Sequence, residues 1–308
     1  MNTKNLTSKI KNSALKKGFD LFGVSSPKSQ NKKESKILNE WIDNGYHGTM
    51  DWINKRKEER NNIYKYFPNV KSVISLGYNY YTGENEINSN DYKISNYAWG
   101  EDYHKIIKSK LYEIIKFIKK HKNNEFEYRV CVDTSPLLEK KWAQKSGLGW
   151  IGKHTNLINP NIGSWFFLSE ILLDFELDFN EPFIQDLCGT CTKCIEECPT
   201  DAIFEDYKLD SNKCISYLTI EHKNDFKKKE KLDNWIYGCD ICQQVCPWNI
   251  KFSQITSEKN FKIRKNIKNM TNSDWENLNE EDYKLIFKDS AIKRTKLKGL
   301  KRNISENK

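Results

Sequence analysis

The amino-acid sequence predicts an α+β fold with an N-terminal layered α/β domain, a cysteine-rich metal-binding module and a short helical, basic tail. Three observations support this interpretation. Strand-like and helix-like segments alternate up to about residue 180, eight of the nine cysteines lie between Cys188 and Cys246, and positive charge is concentrated at the C-terminus. We therefore place the domains at residues 1–180, 181–254 and 255–308.

The first half of the N-terminal domain is predicted to contain two amphipathic helices and one strand. A helix over residues 4–17 stops at Gly18. Its apolar face consists of Leu6, Ile10 and Ala14. Residues 70–81 are rich in β-branched and aromatic side chains, which predicts a strand. A longer helix is predicted over residues 102–121, with an apolar stripe formed by Tyr103, Ile107, Leu111, Ile114 and Ile118.

The second half is predicted to place an aspartate at the end of a strand. Residues 125–132 alternate between polar and apolar side chains, which is typical of a strand. The next residues combine a capping residue, Asp133, with Pro136 at the first position of a helix that ends at Gly147. A buried strand is predicted over residues 165–173. The glycine-rich connection before it contains Gly147, Gly149 and Gly152.

The composition indicates a globular protein of the cytoplasm. The 308 residues are 37% hydrophobic, which suffices for a core, and no run approaches the roughly 18 to 20 apolar residues of a membrane span. The charged N-terminus does not resemble a signal peptide. In a reducing compartment, nine cysteines are not expected to form structural disulfides, so the cluster of eight indicates metal ligation. Cys131, the ninth, is expected to be a strand thiol.

The cysteines form two runs with the spacing of a bacterial ferredoxin. Residues 188–199 read C-x2-C-x2-C-x3-C-P, and residues 239–247 read C-x2-C-x3-C-P with Cys214 as an upstream first member. In such modules the fourth cysteine of each run binds the cluster of the other run. One [4Fe–4S] cluster is therefore predicted to be bound by Cys188, Cys191, Cys194 and Cys246. The other is predicted to be bound by Cys198, Cys214, Cys239 and Cys242.

The two other interpretations of the cysteines are a structural zinc site and a pair of clusters that only stabilise the fold. A structural zinc site uses four ligands in two pairs, and eight cysteines in two C-P-terminated runs do not match it. Two clusters that only stabilise the fold are the second alternative. Adjacent cubanes form a ready electron relay, so the runs favour electron delivery, although they do not identify the acceptor.

The net charge of +9 is unevenly distributed along the chain. Residues 291–308 hold seven Lys or Arg and one acid. This concentration suggests a polyanionic partner, and the alternative is a solvated basic surface in a lysine-rich protein. The best candidates for phosphate contacts are Lys293, Arg294, Lys301 and Arg302.

Short motifs along nearly the whole chain resemble those of the epoxyqueuosine reductase family. They are Gly48-Thr-Met-Asp-Trp52, Tyr97-Ala-Trp-Gly-Glu-Asp-Tyr-His104, Val132-Asp-Thr-Ser-Pro136, Gly147-Leu-Gly-Trp-Ile-Gly-Lys-His-Thr-Asn156, Gly163-Ser-Trp-Phe166, Cys214-Ile-Ser-Tyr-Leu-Thr-Ile-Glu221, Tyr237-Gly-Cys-Asp240, Cys246-Pro-Trp-Asn249, Ser290-Ala-Ile-Lys-Arg294 and Gly299-Leu-Lys-Arg-Asn303. Members of that family reduce the epoxide of epoxyqueuosine in the tRNA anticodon to queuosine, using cobalamin and iron–sulfur clusters.

The resemblance implies specific roles for residues of the N-terminal domain. It implies that this domain binds cobalamin and that Asp133 protonates the departing epoxide oxygen. Further residues in matching motifs are expected to contact cobalamin: Tyr97, His104, Lys153, Thr155, Asn156 and Ser164. Arg56 and Arg60 are additional, weaker candidates, and the glycines at 147, 149 and 152 would let the backbone approach the corrin. The implied partners are tRNA and an external electron donor, and a monomer is expected.

The sequence departs from the family pattern at two points, and two other functions compete with this interpretation. His154 stands where the family more often has Asn, and the chain stops at 308 without the helical-repeat extension of longer members. A corrinoid reductive dehalogenase also pairs a corrinoid with two clusters, but such enzymes typically start with a twin-arginine signal, which this sequence lacks. The other alternative is an electron-transfer ferredoxin fused to a cobalamin-binding domain, which would have no use for Asp133 or the basic tail.

Overall fold

The computed structural model describes residues 3–30, 32–83, 91–122 and 124–308. Its strands are β1 (Leu21–Ser25), β2 (Ser72–Asn79), β3 (Lys93–Ile94), β4 (Tyr128–Cys131), β5 (Trp150–Ile151), β6 (Leu157–Ile158), β7 (Phe166–Leu173), β8 (Ile203–Glu205), β9 (Lys208–Leu209) and β10 (Trp235–Tyr237). Its α-helices are α1 (Thr3–Lys16), α2 (Lys32–Asp43), α3 (Asp51–Lys55), α4 (Lys57–Asn61), α5 (Ile63–Tyr66), α6 (Tyr103–His121), α7 (Glu139–Lys145), α8 (Lys193–Glu196), α9 (Ile215–Ile220), α10 (Ile241–Gln244), α11 (Pro247–Phe252), α12 (Lys265–Lys268), α13 (Asn272–Glu276), α14 (Glu280–Ile286) and α15 (Lys296–Glu306).

A four-stranded antiparallel sheet organises the N-terminal half. Its strand order is β1-β2-β7-β4, and every neighbouring pair is antiparallel. The two central strands were predicted from their apolar composition and are confirmed as β2 and β7. All eight residues of β2 are buried, as expected for a central strand covered on both faces, although three of them are the polar residues Ser72, Ser75 and Asn79.

Helices cover both faces of this sheet, as a layered α+β domain requires. The apolar stripes predicted for the first and the longest helix are confirmed in α1 and α6, which pack on one face in a common core. On the other face, Trp142 of α7 packs against Val73 of β2 and Leu172 of β7. Full burial of an aliphatic or aromatic side chain contributes roughly 1.5–3 kcal/mol, so these contacts fix the sheet relative to its helices.

The segment around Asp133 differs from the sequence prediction. Strand β4 ends at Cys131, and α7 begins only at Glu139, so Asp133 is not a helix cap. It lies instead in a turn with a left-handed φ of 58°. The helix start predicted at Pro136 is wrong, because α7 begins only after Leu138. The predicted stop at Gly147 is confirmed, because Gly147 has a φ of 79° just after α7.

The tail packs on the central part of the chain. Phe287, Ile292 and Leu300 are fully buried, in one cluster with Ile236 and Trp99. Strand β10 pairs in parallel with β3, which further ties the cysteine-rich region to residues 93–94. None of the described helices is long and apolar enough to cross a membrane.

Candidate active site and cysteine module

The first group of thiols consists of Cys188, Cys191, Cys194 and Cys246. Burial, and then the neighbouring thiols of Cys188, Cys246 and Cys191, raises the pKa of Cys194 to about 11. The indole N–H of Trp150 donates to the sulfur of Cys188 at 3.4 Å. Cys246 thus lies with the first run, although it belongs to the second run in sequence.

The second group consists of Cys198, Cys214, Cys239 and Cys242. Burial, and then the Cys214 thiol, raises the pKa of Cys242, and Cys198 also contributes. The backbone N–H of Ala202 donates to the sulfur of Cys198 at 3.3 Å. N–H donors of this kind tune the potential of iron–sulfur clusters. The assignment of the two groups as cluster ligands stays a prediction.

Within the described ranges, no group of three His, Cys, Asp or Glu side chains that could hold a metal ion is found. The choice between zinc and clusters therefore rests on the sequence. Each cysteine of a cubane binds a different iron, and eight cysteines in two C-P-terminated runs match that ligand pattern.

Asp133 forms a charged chain with a histidine and a second aspartate. The Nε2 atom of His104 lies 3.4 Å from Oδ2 of Asp133, and its Nδ1 atom lies 2.7 Å from Oδ1 of Asp102. Although burial opposes the change, the two carboxylates raise the pKa of His104 to about 9. Burial likewise opposes ionisation of Asp133, but His104 holds its pKa below the usual value. At neutral pH, the proton of this pair therefore resides on His104.

Aromatic rings form one wall beside His104. The rings of Tyr103 and His104 are stacked at 4.0 Å, and those of Tyr103 and Phe167 at 4.1 Å. Tyr97 contacts Tyr103 and Phe167 edge-on. The Asp133 side chain remains 64% exposed next to this wall. Tyr97, Tyr103 and His104 are partly exposed in this wall, whereas Phe167 is buried.

Lys140 holds the loop that contains three further predicted residues. Its Nζ atom donates to the backbone oxygen of Thr155 at 2.9 Å and to Oδ1 of Asn156 at 3.1 Å. Thr155 has a left-handed φ of 66°. The Lys153 ammonium points to Asp206, 3.0 Å away, and its side chain is only 7% exposed. Thr155 and Asn156 thus lie near α7, whereas Lys153 is already paired.

His154 is buried and neutral in the same loop. Burial, and then Lys140, lowers the pKa of His154 to about 4. Its Nδ1 atom accepts a hydrogen bond from the Asn156 N–H at 3.1 Å, so the ring proton must lie on Nε2. In the described part of the chain, this Nε2 donor has no hydrogen-bond partner.

Ser164 connects the N-terminal domain to the cysteine module. Its hydroxyl donates to Oε1 of Gln243 at 2.8 Å, and its N–H donates to Oδ1 of Asn249 at 2.6 Å. Gln243 follows Cys242 in the chain, and Cys242 also perturbs the pKa of Lys140. The second thiol group therefore lies next to the Asp133 site.

The two arginines expected near the site have protein partners. Arg60 is buried, stacks over Trp52 at 5.3 Å and donates to the backbone oxygen of Arg56. Arg56 is paired with Glu59 at 3.1 Å and lies over the ring of Tyr66. Both arginines thus make protein contacts in the adjoining helices, and their expected contact with cobalamin stays a prediction.

Two cationic residues of the tail also have partners that the sequence did not reveal. Arg294 donates twice to Glu221, at 2.9 and 2.8 Å, and it lowers the pKa of Asp133. Arg302 donates to the backbone oxygens of His222, Asn224 and Leu218. Glu221 lies outside residues 291–308, so the scarcity of acids within the tail gave no sign of this pairing. Lys293 and Lys301 remain exposed.

Sequence reasoning missed two acidic residues of the site, Glu139 and Glu170. Glu170 is fully buried in β7, and its carboxyl group lies next to that of Glu139, since each affects the pKa of the other. The Oε1 atom of Glu139 accepts a hydrogen bond from the Asp133 N–H at 2.8 Å. The sequence contained one sign of this site, because Glu170 is a charged residue within the otherwise largely apolar run 165–173.

Comparison with protein families identifies the class of this protein. A family profile described as "4Fe-4S double cluster binding domain" matches residues 187–249. One described as "Epoxyqueuosine reductase QueG, DUF1730" matches residues 60–134. A mixed helix and sheet domain joined to a double-cluster module defines an iron–sulfur oxidoreductase.

Full-length relatives identify the family. The epoxyqueuosine reductase of Leadbetterella byssophila is 46% identical over 298 residues, which cover 96% of each chain. That of Cellulophaga algicola is 44% identical over 307 residues, which cover 99% of each chain. A crystal structure of an epoxyqueuosine reductase with an epoxyqueuosine-modified tRNA-Tyr stem loop superposes with a TM-score of 0.89 at 25% identity, covering 99% of this chain and 81% of that one. The chain belongs to the epoxyqueuosine reductase family.

Proposed function

We propose that this protein reduces epoxyqueuosine to queuosine in tRNA, using cobalamin and electrons that pass through two [4Fe–4S] clusters. The observation that carries the proposal is the position of the Asp133–His104 pair. Lys140 interacts with both Asp133 and the thiols of Cys242 and Cys214, so a proton source and an electron source would meet at the space beside Lys140, here called the recess. The identity to named relatives over nearly the full chain supports the substrate.

The residues around the recess fit a large, flat cofactor edged with amides. The aromatic wall offers an apolar face, and the exposed Asp133 and Lys140 offer polar contacts at its border. The unpaired N–H of His154 suits an amide carbonyl, which would satisfy a buried donor that otherwise costs stability. We infer that Tyr97, Thr155 and Ser164 complete this surface. Cobalamin, when bound, supplies a low-potential metal centre that can transfer electrons to the substrate.

The proximity of the thiol groups suggests the order of electron transfer. The group of Cys198, Cys214, Cys239 and Cys242 adjoins Lys140 and Ser164, so its cluster would deliver electrons to the recess. The group containing Cys188 would then receive them from the external donor. Cys194 perturbs the pKa of Cys242, which indicates that the two groups are neighbours.

The proton that Asp133 delivers would come from His104. Conversion of an epoxide to an alkene takes two electrons and two protons and releases water. His104 holds a proton on Nε2 next to Oδ2 of Asp133. Transfer along this contact would make Asp133 the acid that protonates the departing epoxide oxygen and would leave a neutral His104, whose Nδ1–H stays hydrogen-bonded to Asp102. The second proton would come from solvent.

The exposed face of α15 is the surface that we propose for tRNA. A groove of about 460 Å³ is lined by Phe226, Lys298, Lys301, Arg302 and neighbouring residues. Lys298 and Lys301 are exposed, so they are available to phosphates. The guanidinium of Arg294 lies nearer the recess, because it lowers the pKa of Asp133. The basic surface would thus lead towards the reaction site.

The decisive experiment measures the conversion of epoxyqueuosine to queuosine in tRNA. The reduced protein, loaded with cobalamin and iron, is incubated with tRNA that contains epoxyqueuosine, and the nucleosides are analysed by mass spectrometry. We expect a product lighter by one oxygen that depends on both the reductant and cobalamin. Matched reactions without reductant and with tRNA lacking the modification are the controls. Absence of the product from protein with full cofactor content would refute the proposal.

A further inference from the structure

Two glutamates with no part in this scheme lie directly beside the Asp133 turn. Glu139 begins α7, and Glu170 lies in the interior of β7 with no exposed surface. The antiparallel register places Glu170 opposite Cys131, two residues before Asp133. Each carboxyl group affects the pKa of the other, which places the two side chains next to each other. The chain therefore buries a pair of acids under its proposed proton donor.

This contact requires a proton. An ionised carboxylate only accepts hydrogen bonds, so two of them repel each other. Across the part of the chain that the structure describes, neither oxygen of Glu170 has a conventional donor. Burial, and then the charge of Asp133, raises the pKa of Glu139 to about 8, and burial raises the pKa of Glu170 well above its ordinary value. The pair thus retains a proton at neutral pH.

Glu139 also holds the backbone of the turn. Its Oε1 atom accepts from the Asp133 N–H at 2.8 Å. With a φ of 58°, Asp133 has a conformation that an L-residue rarely adopts, and such conformations persist only where the surroundings impose them. The same turn directs the Asp133 carboxylate to His104. The Glu139 carboxyl group therefore links Glu170 to the turn that contains Asp133.

We propose that Glu139 and Glu170 form a proton-sharing latch that fixes the Asp133 turn in the orientation in which its carboxylate faces His104. Glu170 fixes Glu139, and Glu139 fixes the Asp133 N–H. Glu139 is a positioning residue, because it acts through Asp133. The purpose of the latch rests on the proposed function, whereas its geometry does not.

The latch should open as the pH rises above about 8, where the pair begins to lose its proton. The titratable and charged groups that face the pair are Asp133, His104, Lys140, Arg60, Cys131 and Tyr103. His104 keeps its proton to about pH 9, and burial holds the pKa of Cys131 at about 12. The acid pair is therefore the first of these groups to change on the alkaline side of neutrality.

Hydrogen–deuterium exchange of the Asp133 amide measures the latch without any turnover. In the holoprotein, Glu139→Ala should lower the protection factor of this amide by about tenfold or more, since it removes a hydrogen bond to a charged or buried carboxyl. Glu139→Gln should stay close to wild type, because its oxygen accepts from Asp133 and its NH₂ donates to Glu170. Glu258→Ala is the matched control: this carboxyl is also largely buried, but it pairs with Tyr78 and Lys110.

The pH dependence separates a latch from a merely structural contact. The wild-type protection factor, corrected for intrinsic exchange, should fall above about pH 8. In Glu170→Gln this fall should disappear, because the amide donates to Glu139 at every pH. Should Glu139→Ala lose its iron, Glu139→Asp, which is too short to reach both partners, tests the same contact. Any of three results would refute the latch. They are unchanged protection of the Asp133 amide in Glu139→Ala or Glu139→Asp, loss of that protection in Glu139→Gln, and a pH dependence of the protection that Glu170→Gln does not alter.

Turnover then tests what the latch is for. We expect Glu139→Ala to lower kcat with little change in the KM for tRNA, and Glu139→Gln to retain kcat. If the wild-type protein shows the predicted exchange but no reduction of epoxyqueuosine, the proposed function fails and the latch stands. If the wild-type protein turns over and Glu139→Ala does so equally well, the positioning role fails instead.

Discussion

The pKa of His104 is the most direct measure of the proton chain. The imidazole lies 2.7 Å from the Asp102 carboxylate and 3.4 Å from that of Asp133, and its side chain is 33% exposed. At a dielectric constant of about 80, that of bulk water, Coulomb's law gives roughly 1.5 kcal/mol for the shorter contact and roughly 1.2 kcal/mol for the longer one, and both are lower limits because the site is partly buried. Each corresponds to about one pKa unit. Together with the hydrogen bonds between His104 and both aspartates, these interactions outweigh burial and raise the pKa of His104 from 6.5 to about 9.

Substitution of either aspartate should therefore lower the pKa of His104 by about one unit. Asp102→Asn should have the slightly larger effect, because its contact is shorter. The double substitution should return the pKa to 6.5 or below, since burial then acts unopposed. Each variant keeps a side chain of nearly the same shape, so the fold should survive.

Titration of ¹⁵N-histidine-labelled protein by NMR measures this pKa. The chain has five histidines, and His104→Gln assigns the signal. The pH–kcat profile provides an independent readout. Because His104 loses its proton as the pH rises through about 9, the alkaline limb of the wild-type profile should lie near that value and move down by about one unit in Asp102→Asn. A wild-type pKa near 6.5, or no change in Asp102→Asn, would refute the proton chain.

Three further predictions concern the clusters, the acid and the tail. Reconstituted protein should contain about eight irons per chain. Cys198→Ala should damage one cluster and leave the other detectable by EPR. A content of about four irons in the intact protein would contradict the two-cluster assignment. Asp133→Asn should keep iron and cobalamin while kcat falls by roughly 10² or more, and near-normal turnover would remove Asp133 from the reaction. Charge reversal of Lys298 and Lys301 should weaken tRNA binding. It should also reduce the slope of log affinity against log salt concentration by roughly 0.7 to 0.9 for each lost phosphate contact, whereas charge reversal of Lys116 on α6 should change neither quantity. Equal effects of the two changes would place the tRNA-binding surface elsewhere.

Local patterns predicted the long elements of the fold and missed those that depend on distant partners. Strand β1 has only five residues, and Gly23 within it lies so close to the Ser146 oxygen that a Cβ atom would approach it to 2.0 Å. The partner for that glycine is more than a hundred residues away, so the sequence carries no local sign of it. The apolar runs of β2 and β7 needed no such information, because both faces of these strands are covered by helices.

The candidate site was predicted in its parts but not in its connections. The motifs identified Asp133 and His104 separately, and only the fold brings them together from residues 29 positions apart. Arg302 was expected to bind phosphate on charge alone, yet its donors are used by three backbone oxygens from residues 218–224. Long cationic side chains can satisfy carbonyl groups as readily as phosphates, and sequence composition does not distinguish the two. Exposure in the fold makes that distinction, which is why Lys298 and Lys301 are the better candidates.

The charges around the recess explain why an acid pair and a cationic histidine occur together. Electrons that arrive in a partly buried site add negative charge where Asp102 and Asp133 are already ionised, and such an increase is costly in a medium of low dielectric constant. A proton on His104 offsets part of that charge and is mobile, because it lies next to Oδ2 of Asp133. The proton shared by Glu139 and Glu170 leaves this pair with one negative charge instead of two, and its loss would also release the turn that aims Asp133. Reduction of the substrate and protonation of the site would thus be coupled through the same few side chains, so the alkaline loss of turnover should have two components, one shifted by Asp102→Asn and the other removed by Glu170→Gln.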